Sequence, residues 1–271
     1  MRTTTYGTGA LICEALVLGV KKIVLAVGGS ATNDGGVGMA QALGARFTDE
    51  AGNELRHGCQ DIGRLLCVDL SSMRQLLGDT AVILASDVNN VLCGSEGASR
   101  VYGPQKGANA KTVEKMDHHL QRLANILRDE TGVNVGMMPG SGAAGGIAVP
   151  LFAVGKAEQR PGIDIVLDMM GFDSHLAKAG LVLTGEGRVD GQAMYGKVLA
   201  GIGKRCMSWN VPVFAFAGSI GEGGERLDAI GIRAVFSIAN GPMTLSYAME
   251  HAAELIEGCV SQVLKAIRVM L

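Results

Sequence analysis

The chain has 271 residues, enough for one large α/β domain or two smaller ones, with 40 glycines, 4% aromatic residues and a formal net charge of −2. So few aromatic rings speak against a stacking surface for single-stranded nucleic acid, and without a basic run there is no electrostatic case for DNA or an anionic membrane. Six scattered cysteines without a C-x-x-C pair, no leader-like opening and no uninterrupted apolar run of membrane-spanning length point to a reducing cytoplasm.

In chain order, Thr8-Gly9 opens a predicted helix through Leu18, and the apolar run Lys22 to Val27 reads as a buried strand. The turn Val27-Gly28-Gly29-Ser30-Ala31-Thr32-Asn33-Asp34-Gly35-Gly36 follows, and Val37, Met39, Ala40 and Leu43 then recur at helical spacing up to Gly44. Such a strand-to-helix turn can offer backbone N–H groups and a helix N-terminus to an anion. Gly28 and Gly29 let the main chain approach a ligand, while Ser30, Thr32, Asn33 and Asp34 add polar side chains. The same residues also suit a plain turn in which Asn33 or Asp34 caps the helix. The segment has neither the G-x-G-x-x-G order of dinucleotide folds nor a Walker A ending, which ranks an NAD-dependent oxidoreductase low.

Further along, Thr80 to Ser86 reads as a second buried strand, Lys111 to Asp129 as a long amphipathic helix and Ser141 to Val154 as a helix of small residues. Leu181 to Thr184, Val211 to Ala217 and Ala234 to Ile238 are three more strands, and Leu245 to Leu271 is a terminal helix with Thr244 as N-cap. This alternation predicts mostly parallel sheets with flanking helices, in two parts divided as 1–170 and 171–271. Ligands in such folds gather at the carboxyl ends of the strands. There the chain places Asp87-Val88-Asn89-Asn90, then Gly185-Glu186-Gly187-Arg188-Val189-Asp190-Gly191, then Gly218-Ser219-Ile220-Gly221.

Asp87 and Glu186, just past two strands, suit Mg²⁺ ligation or proton abstraction from a hydroxyl, although Asp87 also suits an Asx-turn. Arg188 can grip a carboxylate or phosphate with two N–H groups, and Lys106 and Lys197 can do so as point charges or lie solvated. His118 and His119 are expected on the wet face of the long helix. No zinc signature or nucleophile elbow occurs, which leaves charge neutralisation and positioning around an anion, the main demand of phosphoryl transfer.

At these loops the sequence resembles the bacterial glycerate kinase family of the glycerate 2-kinase type. The matching motifs are T-T-T-Y-G-T-G at 3–9, G-G-S-A-T-N-D-G-G at 28–36, S-D-V-N-N-V-L-C-G at 86–94 and G-A-S-R-V-Y-G-P-Q-K-G-A at 97–108. P-G-S-G-A-A-G-G at 139–146, R-P-G-I-D at 160–164, L-T-G-E-G-R-V-D at 183–190, A-G-S-I-G at 217–221 and S-I-A-N-G-P-M at 237–243 complete the series. The resemblance implies ATP- and Mg²⁺-dependent phosphorylation of D-glycerate to 2-phosphoglycerate. It also implies a flavodoxin-like part beside a Rossmann- or restriction-endonuclease-like part, and allows a homodimer. Carried onto this sequence, the catalytic residues are Asp34, Asp87 and Glu186, with Asp87 and Glu186 also on the metal. Gly28, Gly29, Ser30, Thr32, Asn33, Asn89, Lys106, Arg188, Asp190 and Lys197 would bind substrate or phosphate. The family's opening A-P-D-S-F-K-G strand and loop has no counterpart here, so the chain reads as lacking about the first hundred residues of the family. The alternative is therefore a catalytically silent remnant that only binds a small anion or nucleotide.

Overall fold

The computed structural model describes residues 2–191, 197–224 and 227–270. It divides into two compact units, Met1–Pro161 and Gly162–Leu271, so the boundary falls at Pro161 rather than at 170. Both units are α/β, each with a parallel three-stranded sheet.

In the first unit, α1 (Tyr6–Val17) leads to β1 (Lys22–Ala26), and α2 (Val37–Ala42) follows the glycine turn. A short antiparallel pair, β2 (Arg46–Thr48) with β3 (Cys67–Asp69), comes next, then α3 (Ser71–Leu77) and β4 (Ala81–Ala85). After α4 (Ala98–Tyr102) the long α5 (Ala110–Thr131) crosses the unit, and α6 (Val149–Ala153) precedes β5 (Ala157–Arg160). The sheet order is β1-β4-β5, with Lys22 opposite Ala81, Ala26 opposite Ala85, and Ala85 opposite Arg160. The carboxyl ends of all three strands therefore lie along one edge.

α5 forms where its sequence dictates. Asn109 Oδ1 accepts the Thr112 N–H at 2.9 Å as an N-cap, and Gly132 in the left-handed conformation (φ 75°) ends the helix. Met116, Leu120, Leu123 and Leu127 make a stripe at helical spacing that enters the main core. His119 falls on that buried stripe, not on the wet face: its Nδ1 lies 2.7 Å from the Cys59 carbonyl oxygen, while His118 is exposed.

Two expectations need correction in this unit. The predicted helix over 141–154 is a 3-10 turn at Ala143–Gly145 followed by the short α6, because Ala144, Gly145 and Gly146 all take positive φ. At Gly145 the reason is contact: a Cβ there would lie 2.3 Å from the Thr32 carbonyl oxygen. β2, β3 and β5 were not predicted, since runs of three or four residues are too short to show alternation.

The second unit contains α7 (Gly162–Met169), α8 (Phe172–Leu176), β6 (Val182–Val189), α9 (Lys197–Ser208), β7 (Val213–Ile220), β8 (Ile232–Ser237), α10 (Leu245–Glu250) and α11 (Ala252–Met270). Its sheet order is β6-β7-β8, all parallel. The expected glycine loops after residues 184 and 217 are in fact strand. Glu186 pairs with Ala217 and Arg188 with Ser219, and a Cβ on Gly218 would come within 2.7 Å of the Gly187 carbonyl oxygen. Glycine here permits close strand approach, so its abundance signalled packing and not a turn. The terminal helix breaks at His251, whose ring stacks on Tyr247 at 4.0 Å, and Thr244 caps α10 as predicted.

Arg205 on α9 ties this unit together, bonding Asp168 of α7 at 2.8 Å and Asp173 of α8 at 3.0 Å, with Asp164 at 3.8 Å. Removing it leaves three carboxylates facing one another. Arg205→Ala is expected to destabilise this unit by about 1–2 kcal/mol, the partial exposure of the acids screening part of the effect. Urea unfolding followed by circular dichroism measures this, and an unchanged midpoint would refute it. Among the described residues no helix is long and apolar enough to cross a membrane.

Candidate active site

The first unit's site is built at the carboxyl edge of β1 and β4. After β1 the chain turns through exposed Gly28 and Gly29 (φ 59°) into half-buried Ser30 and Thr32. Lys106 sits on the 3-10 turn Pro104–Lys106, which ends at Gly107 with φ 86°. Its Nζ donates to Ser30 Oγ at 2.9 Å and to the Thr32 carbonyl at 2.7 Å, so the glycine turn and the lysine hold each other. Burial pushes the Lys106 ammonium pKa down, and the negative charge of Asp34 partly opposes that.

Asp34 is fully buried, and its contacts define its role. Oδ2 accepts the Thr5 N–H at 2.8 Å and the Thr5 hydroxyl at 3.0 Å, and Oδ1 accepts the Gly36 N–H at 3.2 Å. Thr5 Oγ1 in turn accepts the Met39 N–H at 2.9 Å. The cap N–H of Gly36 thus goes to the Asp34 carboxylate and the Met39 N–H of α2 to the Thr5 hydroxyl, so the protein's own groups take up part of the helix start. Asp34 thus stands as a brace for the turn, with no oxygen turned outward. Neither Asn33 nor Asp34 is the helix cap; that position is Gly36, with φ 75°.

Asn33 is 3% exposed and its Nδ2 donates to Ser99 Oγ at 2.8 Å. The second loop of the edge carries exposed Asp87 and Asn89. Gln159 on β5 donates from one amide nitrogen to the Ser86 carbonyl at 3.0 Å and the Val88 carbonyl at 2.8 Å, clasping the backbone on both sides of Asp87. Asn90 is fixed from Tyr102, whose hydroxyl donates to it at 2.7 Å. Thr5, Ser99 and Gln159 are supports that the sequence reading missed. Thr5 and Ser99 sit inside quoted motifs, whereas nothing marked Gln159.

In the second unit Glu186 and Arg188 are exposed on β6. Arg188 Nε lies 3.2 Å from Asp190 Oδ2, and Glu186 accepts the N–H of Gly187 at 3.2 Å. Lys197 opens α9, but its side chain lies outside the described residues. The structure therefore brings together Gly28, Gly29, Ser30, Thr32, Asn33, Asp34 and Lys106 at one edge, with Asp87 and Asn89 on the adjoining loop. Separately, it groups Glu186, Arg188 and Asp190. Among the described residues no cluster of three or more His, Cys, Asp or Glu side chains could cage a metal ion.

All six cysteines are free thiols. Burial pushes Cys59 and Cys93 up to about 12 from a usual value near 9.0. Because the folded state holds these protons more tightly than the unfolded chain, their contribution to stability is intact below pH 9 and is lost progressively towards pH 12. At pH 8, iodoacetamide is expected to label exposed Cys67 in the native protein and to reach Cys59 and Cys93 only after unfolding. Mass spectrometry of the labelled peptides would contradict this if either buried thiol reacted at the rate of Cys67.

Residues 1–268 match the glycerate kinase family. The chain is 43% identical to the glycerate kinase of Halalkalibacterium halodurans over 94% of its own length, covering 67% of that protein. It is 41% identical to the Bacillus subtilis glycerate kinase over 98% of its length, covering 70% of that protein. With the Escherichia coli glycerate 2-kinase it shares 41% identity over 94% of its length and 67% of the relative. The crystal structure of a Salmonella typhimurium LT2 protein assigned as glycerate kinase 2 matches with a TM-score of 0.83 at 41% identity, covering 98% of this chain and 70% of that one.

Proposed function

The chain belongs to the glycerate kinase family, and on that premise we propose that it transfers a phosphoryl group from ATP to a hydroxyl of D-glycerate, giving 2-phosphoglycerate and ADP. The hydroxyl oxygen bonds to the γ-phosphorus, the bond from that phosphorus to its bridging oxygen breaks, and the hydroxyl proton passes to a carboxylate. The observation that carries the reading is Lys106, an ammonium pinned by Ser30 and Thr32 at the strand edge that also bears exposed Asp87.

In this reading Lys106 and the Gly28-Gly29-Ser30 backbone receive phosphate oxygens, and Asn89 assists from the next loop. Arg188, oriented by Asp190, grips an anionic group of substrate or nucleotide, with Lys197 as a further cation. Asp87 is the first unit's exposed carboxylate for Mg²⁺ or for the leaving proton, and Glu186 is the second unit's own candidate for the same tasks. A single such carboxylate suits that ion, which is otherwise held by substrate phosphates and needs no protein cage. When bound with ATP, Mg²⁺ supplies charge neutralisation on the phosphate oxygens. Asp34 contributes by holding the turn and by keeping Lys106 charged.

A coupled assay of ADP release with D-glycerate and Mg²⁺ tests the proposal on the 271-residue chain. Glycerate-dependent turnover, with 2-phosphoglycerate as the product by ³¹P NMR, is the expected result. Nucleotide binding by calorimetry without turnover would overturn it in favour of a protein that holds a small anion or nucleotide and transfers nothing.

A further inference from the structure

β4 ends at Ala85, opposite Arg160 of β5, and the Ser86 N–H donates to the Arg160 carbonyl at 3.1 Å as the last rung of that ladder. Exposed Asp87 lies one residue past this limit, where the sheet no longer sets the path of the chain. Each residue of a backbone released in this way has two soft dihedrals, so a carboxylate carried on it is placed only by contacts outside the ladder.

Gln159 stands opposite Leu84 in the register of β5 with β4. Its one amide nitrogen donates to the Ser86 carbonyl at 3.0 Å and to the Val88 carbonyl at 2.8 Å. The first carbonyl belongs to the peptide plane that leads into Asp87, and the second lies just beyond the plane that leaves it. With both held to a single atom, the φ and ψ of Asp87 are bracketed. Two N–H groups are needed for this, so only the NH₂ end of the amide can face the carbonyls. Gly140 makes the seat for that amide: it is buried with φ 79°, and a Cβ on it would overlap the Gln159 side chain.

The rest of the 139–146 turn extends the same hold. The Gly142 N–H donates to the Asn90 carbonyl at 2.9 Å, and the Gly145 carbonyl accepts the Gly35 N–H at 3.0 Å. This turn is therefore bonded through its main chain both to the loop that bears Asp87 and to the glycine turn that meets Lys106.

We propose that Gln159 is a positioning residue, which holds Asp87 at the carboxyl edge of β4 in the place that phosphoryl transfer requires and acts through the backbone rather than on the substrate. That Gln159 orders Asp87 stands on these contacts alone; that turnover depends on the order rests on the proposed kinase activity.

Gln159→Leu tests this, since it nearly keeps the size of the side chain and removes both N–H donors. By ¹⁵N relaxation the Asp87 amide should have an order parameter of ~0.85 in the wild type and below ~0.6 in the variant. In steady-state kinetics kcat should fall roughly tenfold or more while KM for glycerate changes by less than about threefold, because Lys106 and the glycine turn keep their contacts. An Asp87 amide already mobile in the wild type overturns the proposal whether or not the variant folds, and so does an amide left rigid by the substitution. A lowered melting temperature with wild-type kcat marks a structural role only and overturns it as well. If the wild type itself shows no glycerate turnover, the kinase reading falls and takes the kinetic dependence with it, while loss of order at Asp87 in the variant would still uphold the clamp.

Discussion

Replacing Lys106 with methionine is expected to lower kcat/KM for glycerate roughly 100- to 1,000-fold while leaving the fold intact, a loss comparable to removing one preorganised donor from a charged transition state. Methionine has nearly the same length and keeps the apolar stem packed, so the variant removes charge and hydrogen bonds and little else. The two bonds lost, to Ser30 Oγ and to the Thr32 carbonyl, fix the glycine turn. Arginine should not rescue, because a planar guanidinium cannot replace a compact ammonium among those partners. Steady-state kinetics beside a thermal melt decides the matter: wild-type turnover in the methionine variant would remove Lys106 from the machinery. The pH profile adds a second reading. Burial lowers the Lys106 pKa, so the alkaline limb of kcat/KM should fall at a lower pH than the usual lysine value of 10.5.

Asp34→Ala is expected to cost about 3–5 kcal/mol of stability, because three hydrogen bonds to a buried charge vanish and their donors stay buried. The donors left without a partner are the Thr5 N–H, the Thr5 hydroxyl and the Gly36 N–H. Asp34→Asn should be milder but still damaging, since its NH₂ group turns a donor towards Thr5 or Gly36. A urea midpoint equal to wild type for the alanine variant would refute the bracing role. Where Asp34→Asn remains folded, its alkaline limb should move further down in pH, because the charge that supports the Lys106 ammonium has gone. An unshifted limb would separate the two residues.

The sequence reveals much of this, and its failures have physical causes. β1 and β4 were legible as short apolar runs and α5 by its helical period, and Thr244 was legible because capping is a local matter; β1, however, is largely exposed and not the buried strand its run suggested. The ends of β6 and β7 were not. Glycine marks a turn in one setting and close strand packing in another, and only the partner strand tells the two apart. At the candidate site, the sequence singles out the polar residues of the 28–36 turn and Lys106, yet the contacts among them were hidden. Asp34 read as a helix cap or a catalytic carboxylate, and only the contacts of Thr5, 29 positions earlier, and of Gly36 show its oxygens filled. Gln159 gave no signal because its task is defined by two carbonyls more than seventy positions away.

The parallel ladder of the first unit also sets a timetable. β1 finds its neighbour only when β4 is made, and the third strand is not finished until Arg160. Parallel pairing over such separations folds slowly, as chain closure must precede any reward. At ~5–20 residues per second, a ribosome takes on the order of several seconds to pass from β1 to β4 and on the order of ten seconds to reach β5. Until β4 is made, the strand that carries the glycine turn is an apolar segment without a sheet partner.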